Sequence, residues 1–245
     1  VPIFISIFPA FGIHGEIEFK VAAATSLALA VPTGILALRK HVKLGNFKAD
    51  EFLVWGCGVA LGVVIGVALT PYTSPFVLKL LFLGFLILSA LYFGLVPDRW
   101  VLMQRPPRGA AAFSMGAGIG TYVSMIGIAG GSFATPIMKA CACPLPRALA
   151  VGAGTSLTVS FLGSIGGVYN GWGIEGRPAW SFGYIDMLIF LVMLPGILLT
   201  VSSGVALATR MEKSRLKLAY TIFLMLTIGV MIYHLVAPAT PVAGH

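Results

Sequence analysis

Apolar residues in this chain do not alternate with polar ones, as they would along a half-buried strand. They run on in long stretches with few charges inside, over residues 21–38, 52–69, 77–95, 148–169, 185–208 and 218–236. Each stretch approaches the roughly 20 residues a helix needs to cross a bilayer. They are too long for membrane strands and lack the alternation of an outer-membrane barrel. The pattern predicts an all-α, polytopic membrane protein with six spanning helices.

One further apolar stretch does not fit a simple span. The 30 residues from Gly109 to Met138 carry no charge, yet Gly127, Gly130, Gly131 and Pro136 interrupt them. Glycine weakens a helix, and proline removes one of its hydrogen bonds. Within hydrocarbon, broken backbone persists only where protein or a cavity satisfies its polar groups. The segment is therefore the first candidate for a site. In residues 52–69, by contrast, Gly58, Gly62 and Gly66 form a small-residue ridge that predicts close helix packing.

Composition agrees with the class: 58% of the residues are hydrophobic and 10% charged, against about 25% charged in a soluble domain. The net charge of +8 does not imply a nucleic-acid partner, because the cations cluster beside the spans, at 39–48, 98–108 and 210–217. That is the positive-inside pattern, and it places these three loops in the cytoplasm at the cell (inner) membrane. Cys57, Cys141 and Cys143 form no metal-ligand spacing and read as small apolar-site residues. His14, His41, His234 and His245 fall at span ends or in the tail and read as solvated.

The charges also orient the broken segment. Two spans, 148–169 and 185–208, separate it from the 210–217 cluster and together return the chain to its starting side. The segment must then enter and leave on the cytoplasmic face. Its length as a helix is about 46 Å, or roughly 23 Å per arm when folded in half, short of a ~30 Å hydrocarbon core. A re-entrant hairpin with residues 127–132 at its tip is the expectation.

The two halves of the chain share landmarks in one order. Ala24-Thr25-Ser26-Leu27 corresponds to Gly154-Thr155-Ser156-Leu157, Val1-Pro2 to Thr135-Pro136, and Gly45, Gly58 and Gly66 to Gly183, Gly196 and Gly204. Equivalent loops fall on opposite faces, which defines an inverted repeat of a hairpin plus three spans. The predicted units are 1–97, a first repeat; 98–108, a cytoplasmic linker; 109–236, a second repeat; and 237–245, a tail. The first arm of the first hairpin is expected before Val1.

At these residues the sequence resembles the TauE/SafE sulfite exporter family of membrane permeases. The resemblance rests on Gly127-Ile-Ala-Gly-Gly-Ser-Phe-Ala-Thr-Pro136, on Ala150-Val-Gly-Ala-Gly-Thr-Ser-Leu157 and on Gly183-Tyr-Ile-Asp186. Ala24-Thr-Ser-Leu27 and Gly45-Asn-Phe-Lys48 carry it in the first half, with Lys48 standing where the family often has Asp. The tip has fewer glycines than many members. The resemblance implies export of sulfite, sulfonates or related small anions.

A helix N-terminus can bind an anion without a cationic side chain, because its N–H groups and dipole favour negative charge. The second arm, starting near 132–136, is expected to place one at mid-membrane, with Pro136 in its first turn. The expected substrate-binding set is Gly127, Gly130, Gly131, Ser132, Thr135 and Pro136, with hydroxyls from Thr155, Ser156, Thr25 and Ser26. Thr155 and Ser156 could equally bond their own preceding carbonyls. Asp186 is read as a helix cap.

No cofactor is expected. The expected partners are a small anionic substrate and the lipid bilayer, with no nucleic acid and a homo-oligomer left open. No nucleophile, base and acid share a depth, so an enzyme is not expected; the rival readings are a permease for another anion or a metal species, and a membrane scaffold. The topology makes a direct prediction. In a background lacking native cysteines, Ala142→Cys should react with an impermeant thiol reagent from the cytoplasmic side; reaction only from the outside would reverse the orientation.

Overall fold

The computed structural model describes residues 1, 4–5, 17–95, 101–178, 180–210 and 213–236. The first half-hairpin expected at 1–11, most of the link 12–20, the 98–100 part of the linker and the 237–245 tail lie largely or wholly outside them. The helices are α1 (Glu18–Lys43), α2 (Ala49–Leu69), α3 (Pro75–Leu95), α4 (Gly109–Ile126), α5 (Gly131–Ala140), α6 (Leu145–Gly171), α7 (Met187–Arg210) and α8 (Lys213–Val236). Among the described residues six helices, α1 to α4, α6 and α8, are long and apolar enough to cross a membrane; the set includes the hairpin arm α4, while α7 contributes a shorter apolar helix over Met187–Thr200. Bulky apolar side chains such as Leu61, Val64, Leu88, Phe161, Leu191 and Leu226 stand exposed, as lipid-facing positions should. The protein is an all-α polytopic membrane protein.

Helix ends overrun the apolar stretches. α1 begins at Glu18, three residues before the first one, and the Glu18 carboxylate pairs with Lys79 of α3 at 3.8 Å. It continues to Lys43, so the Arg39–Lys43 part of the cationic cluster forms its last turns rather than a loop. Cations there complement the helix dipole, and the chain turns only at Gly45, φ +68°. His41 is half-buried in that last turn, and burial, followed by Lys40, holds its imidazole below the usual range. A fully solvated reading does not apply to it.

The tightest packing in the molecule joins α2 to α4. A Cβ built on Gly58, Gly62 or Gly66 would collide with the Phe113, Ala117 or Thr121 carbonyl of α4. In return Gly116 and Gly120 of α4 sit on the Trp55 and Val59 carbonyls. The ridge seen in the sequence thus has its partner, and glycines on both sides let the two backbones touch. Contacts advance in the same direction along both helices, so α2 and α4 are parallel and start on the same face.

Other contacts complete that face. The N–H groups of Leu102 and Met103 donate to the Ala140 carbonyl at the end of α5, at 2.7 and 3.2 Å. Arg147 at the start of α6 reaches Glu51 at the start of α2, at 3.7 Å. The segments 39–48, 101–108 and 141–147 therefore share one end of the bundle. α4 and α5 enter and return there as a hairpin. At the opposite end lie Glu18, residues 70–75 and the α6–α7 connection.

The hairpin arms are unequal, which corrects the expectation of two similar arms. α4 has 18 residues, about 27 Å of helix, and α5 has 10, about 15 Å. Four residues, 127–130, join the two arms. The α6–α7 connection holds one unforeseen element, an antiparallel pair of two-residue strands with Phe182 opposite Ile185. Gly183, φ +62°, makes the two-residue turn between them possible.

The seam predicts a contrast within one pair of helices. Gly62→Val should lower unfolding stability by about 1–3 kcal/mol through overpacking. Gly118→Ala on α4 meets nothing within 4 Å and should be neutral or stabilising by up to about 1 kcal/mol. Denaturant melts of the two purified variants decide; equal behaviour would argue against the seam.

Candidate functional site

The break joins α4 to α5 and packs against α1 and α6. Gly127 ends α4 in the left-handed region, φ +71°, and its N–H donates to the Val123 carbonyl. A Cβ there would strike Ala23 of α1, so the position excludes side chains both by conformation and by space. Gly130 packs on Thr155 and Val159 of α6, and Gly131 on Ser156 and Gly152. Thr135, one turn on, fills the space above Gly152. The glycines are therefore close-packing positions as well as a helix break.

Phe133 locks the two arms. Its ring meets Tyr122 of α4 edge-on, centroids 5.4 Å apart, and Phe85 of α3 at 5.0 Å. The Tyr122 hydroxyl donates to the Leu81 carbonyl at 2.7 Å. Sequence reading singled out neither aromatic, since a Phe in an apolar run carries no positional signal.

Helix α5 starts at Gly131, earlier than expected. Its Gly131 N–H donates to Ser156 Oγ at 2.9 Å. The next N–H groups stay local: Ser132 donates to the Ala129 carbonyl at 3.3 Å, and Phe133 and Ala134 to that of Gly130 at 3.2 and 3.0 Å. Pro136 lies inside the helix, in its second turn, so it deprives the Ser132 carbonyl of an intrahelical donor instead of occupying a cost-free first-turn position. Ser132 itself is exposed. This pattern of bonds leaves the Ala129 and Gly130 N–H groups outside it.

The hydroxyls divide sharply. Thr155 is fully buried; its Oγ1 donates to the Val151 carbonyl at 2.8 Å and accepts from the Trp55 indole at 2.9 Å. A hydroxyl has one proton, so Thr155 has none left for a ligand. The local-bonding alternative holds at that position. Ser156, half-buried, accepts from Gly131 and keeps its own proton available.

The first-half hydroxyls do not join this cluster. Thr25 Oγ1, fully buried, accepts from the Asp186 N–H at 3.0 Å. Asp186 in turn caps α7, its Oδ1 accepting from the Ile189 N–H at 2.9 Å, as the sequence suggested. Ser26 Oγ is buried without a partner among the described residues. Depth is also graded. Gly131 stands against the middle of α6, whereas the end of α4 lies beside Gly66, near the end of α2. The hairpin tip thus reaches beyond mid-depth toward the far face.

The family model of the sulfite exporter TauE/SafE matches residues 1–231. A probable membrane transporter protein of Methanocaldococcus jannaschii is 27% identical over 226 residues, covering 89% of this chain and 80% of the relative. One of Haemophilus influenzae is 23% identical over 224 residues, covering 91% and 85%. No solved structure gives a significant match.

The Trp55–Thr155 bond predicts a non-additive pair. Thr155→Val should cost about 1–3 kcal/mol, because it leaves a buried indole N–H without an acceptor. Adding Trp55→Phe should recover part of that loss in a double-mutant cycle. Simple additivity of the two changes in denaturant unfolding would rule out the bond as the cause.

Proposed function

Because the chain belongs to the sulfite exporter TauE/SafE family, we propose that this multi-pass membrane transporter exports sulfite, a sulfonate or a related small sulfur-containing anion. The observation that carries the reading is the helix break at Gly127–Gly131, deep in the bundle, with Ser156 set against its second arm. Backbone N–H groups at Ala129 and Gly130, the Ser156 proton and the positive end of α5 give a small oxyanion donors without a fixed cation. A site of neutral donors holds an anion weakly enough to release it, as transport requires. The original set narrows accordingly. Gly127 and Gly131 act through shape, Gly130 through shape and its N–H, and Thr155 and Thr25 hold the scaffold.

Alternating access follows from the repeat. Leu27 of α1 lies on Gly163 of α6, and Leu157 of α6 lies on Gly34 of α1. These leucines end the matching Ala-Thr-Ser-Leu and Gly-Thr-Ser-Leu segments, and their reciprocal contacts in antiparallel helices support an inverted repeat about a two-fold axis. Rocking of one half against the other about that crossing would expose the break to each face in turn. The cationic loops at one end of the bundle support a cytoplasmic placement for the open ends of the hairpin.

Flux of labelled sulfite into proteoliposomes tests the proposal. Wild-type protein should accumulate label. Ser156→Ala should lower the rate about tenfold at unchanged folded fraction, while any loss in Thr155→Val should track its folded fraction alone. Transport of another anion, or of a metal species, with none of sulfite would reject the substrate; no transport of any solute by folded protein would favour a scaffold.

A further inference from the structure

Between the hairpin tip and the far face of the bundle lies a small recess, walled by the ends of α1, α2, α4 and α6. We propose that this recess is a second station on the anion's path, with Lys20 as the residue that draws the anion in and holds it there. The inference rests on the anion-transport reading above and deepens it by naming a cationic outer station beside the neutral inner one.

Charge is the first argument. Lys20 lines the recess, is half-buried, and among the described residues makes no ion pair or hydrogen bond. Among the described residues three nearby charges are engaged elsewhere: Lys79 with Glu18 at 3.8 Å, Arg177 with the Ile174 carbonyl at 2.7 Å, and Asp186 with the α7 N-terminus. Lys20 also sits in the first turn of α1, where its charge has the same sign as the helix dipole. Cation and dipole together concentrate positive potential at one point, and a bound anion would offset both.

Besides Lys20 and Tyr184, three polar side chains line the recess, and all three are engaged. The hydroxyl of Thr70 donates to the Gly66 carbonyl at 2.8 Å, and that of Ser124 to the Thr121 carbonyl at 3.0 Å. The Asn170 amide donates to the Val67 carbonyl at 2.8 Å. Each satisfies a helix carbonyl and so has no hydroxyl proton, or one amide proton fewer, for a ligand. The rest of the wall is mostly apolar, and a low-dielectric funnel strengthens the pull of a single cation on an anion.

Position is the second argument. Ser124 and Met125, the last turn before the break, form the floor, and Ala23, on which Gly127 rests, forms part of the wall. Ser124 and Met125 thus stand between the recess and the break that begins at Gly127. The cavity holds about 30 Å³, room for about two waters and too little for a sulfite. Withdrawal of the tip from Ala23 would enlarge the recess and join it to the inner donors.

Equilibrium binding of sulfite to detergent-purified protein, with liposome flux in parallel, tests the assignment. Lys20→Gln should weaken binding about tenfold and flatten its dependence on ionic strength. Lys20→Arg should stay within about threefold of wild type. Unchanged affinity and salt dependence in Lys20→Gln, in protein that still transports, would overturn the station alone. So would equal losses in the Arg and Gln variants, which would mark a structural role. Absence of both binding and flux in wild type, for sulfite and for sulfate and chloride controls, would instead remove the transport reading and this inference with it.

Discussion

Everything about the hairpin depends on the seam where glycines of α2 and α4 let two backbones touch. Lipid offers apolar side chains as good a home as another helix does, so helices associate in a bilayer mainly through contact and hydrogen bonding. Gly58, Gly62 and Gly66 meet α4 carbonyls, and Gly116 and Gly120 meet α2 carbonyls. That reciprocal fit fixes α4 in direction and in depth. Once α4 stands parallel to α2, the chain must turn back to bring Ala140 to the Leu102 and Met103 N–H groups. The break at Gly127–Gly130 is the place where it can, since Gly127 supplies the left-handed residue and room against Ala23.

Satisfying the backbone at that break and leaving donors for a ligand are opposed demands. In the interior of a membrane protein an unpaired N–H is costly, and the structure meets most of that demand locally. Ser156 accepts from Gly131, and the Ala129 and Gly130 carbonyls accept from the next turn. Trp55 and Val151 hold Thr155. What remains polar is small and uncharged, which suits a solute that must leave as readily as it enters.

Much of this architecture was legible in the sequence, and the reasons are physical. Long apolar runs announced spanning helices, and Gly127, Gly130 and Gly131 ahead of Pro136 marked a break, although Pro195-Gly196 stays within α7. Cation clusters on either side of 109–138 forced the hairpin by parity, and the ridge at Gly58, Gly62 and Gly66 announced a close partner. Helix ends were less legible: the start at Glu18 is met by Lys79, 61 residues away in sequence but 3.8 Å away in space. Unequal arms followed from where the α2 seam stops, which no local pattern reveals. Least legible were the hydroxyls. The Thr-Ser pair looks the same in both halves, yet Thr155 is claimed by an indole 100 residues distant and Thr25 by the Asp186 backbone 161 residues distant. A hydroxyl's single proton and lone pairs go to whichever group tertiary packing brings near.

The two candidate stations differ in kind, and the difference has a direction. The inner donors are backbone and hydroxyl dipoles packed between α5 and α6, where a full charge would require costly desolvation. Lys20 lies at the helix end, where its ammonium can remain partly hydrated while its stem lines apolar wall. A cation there attracts an anion from a distance, whereas dipoles act only on contact. The tip of α4 stands between them, held by Gly127 on Ala23 and by Phe133 between Tyr122 and Phe85. Motion of that one element changes whether the two stations communicate. The seam with α2 runs the length of α4 and reaches Ser124 of its last turn through Gly66, so any withdrawal of the tip must open the far end of that seam.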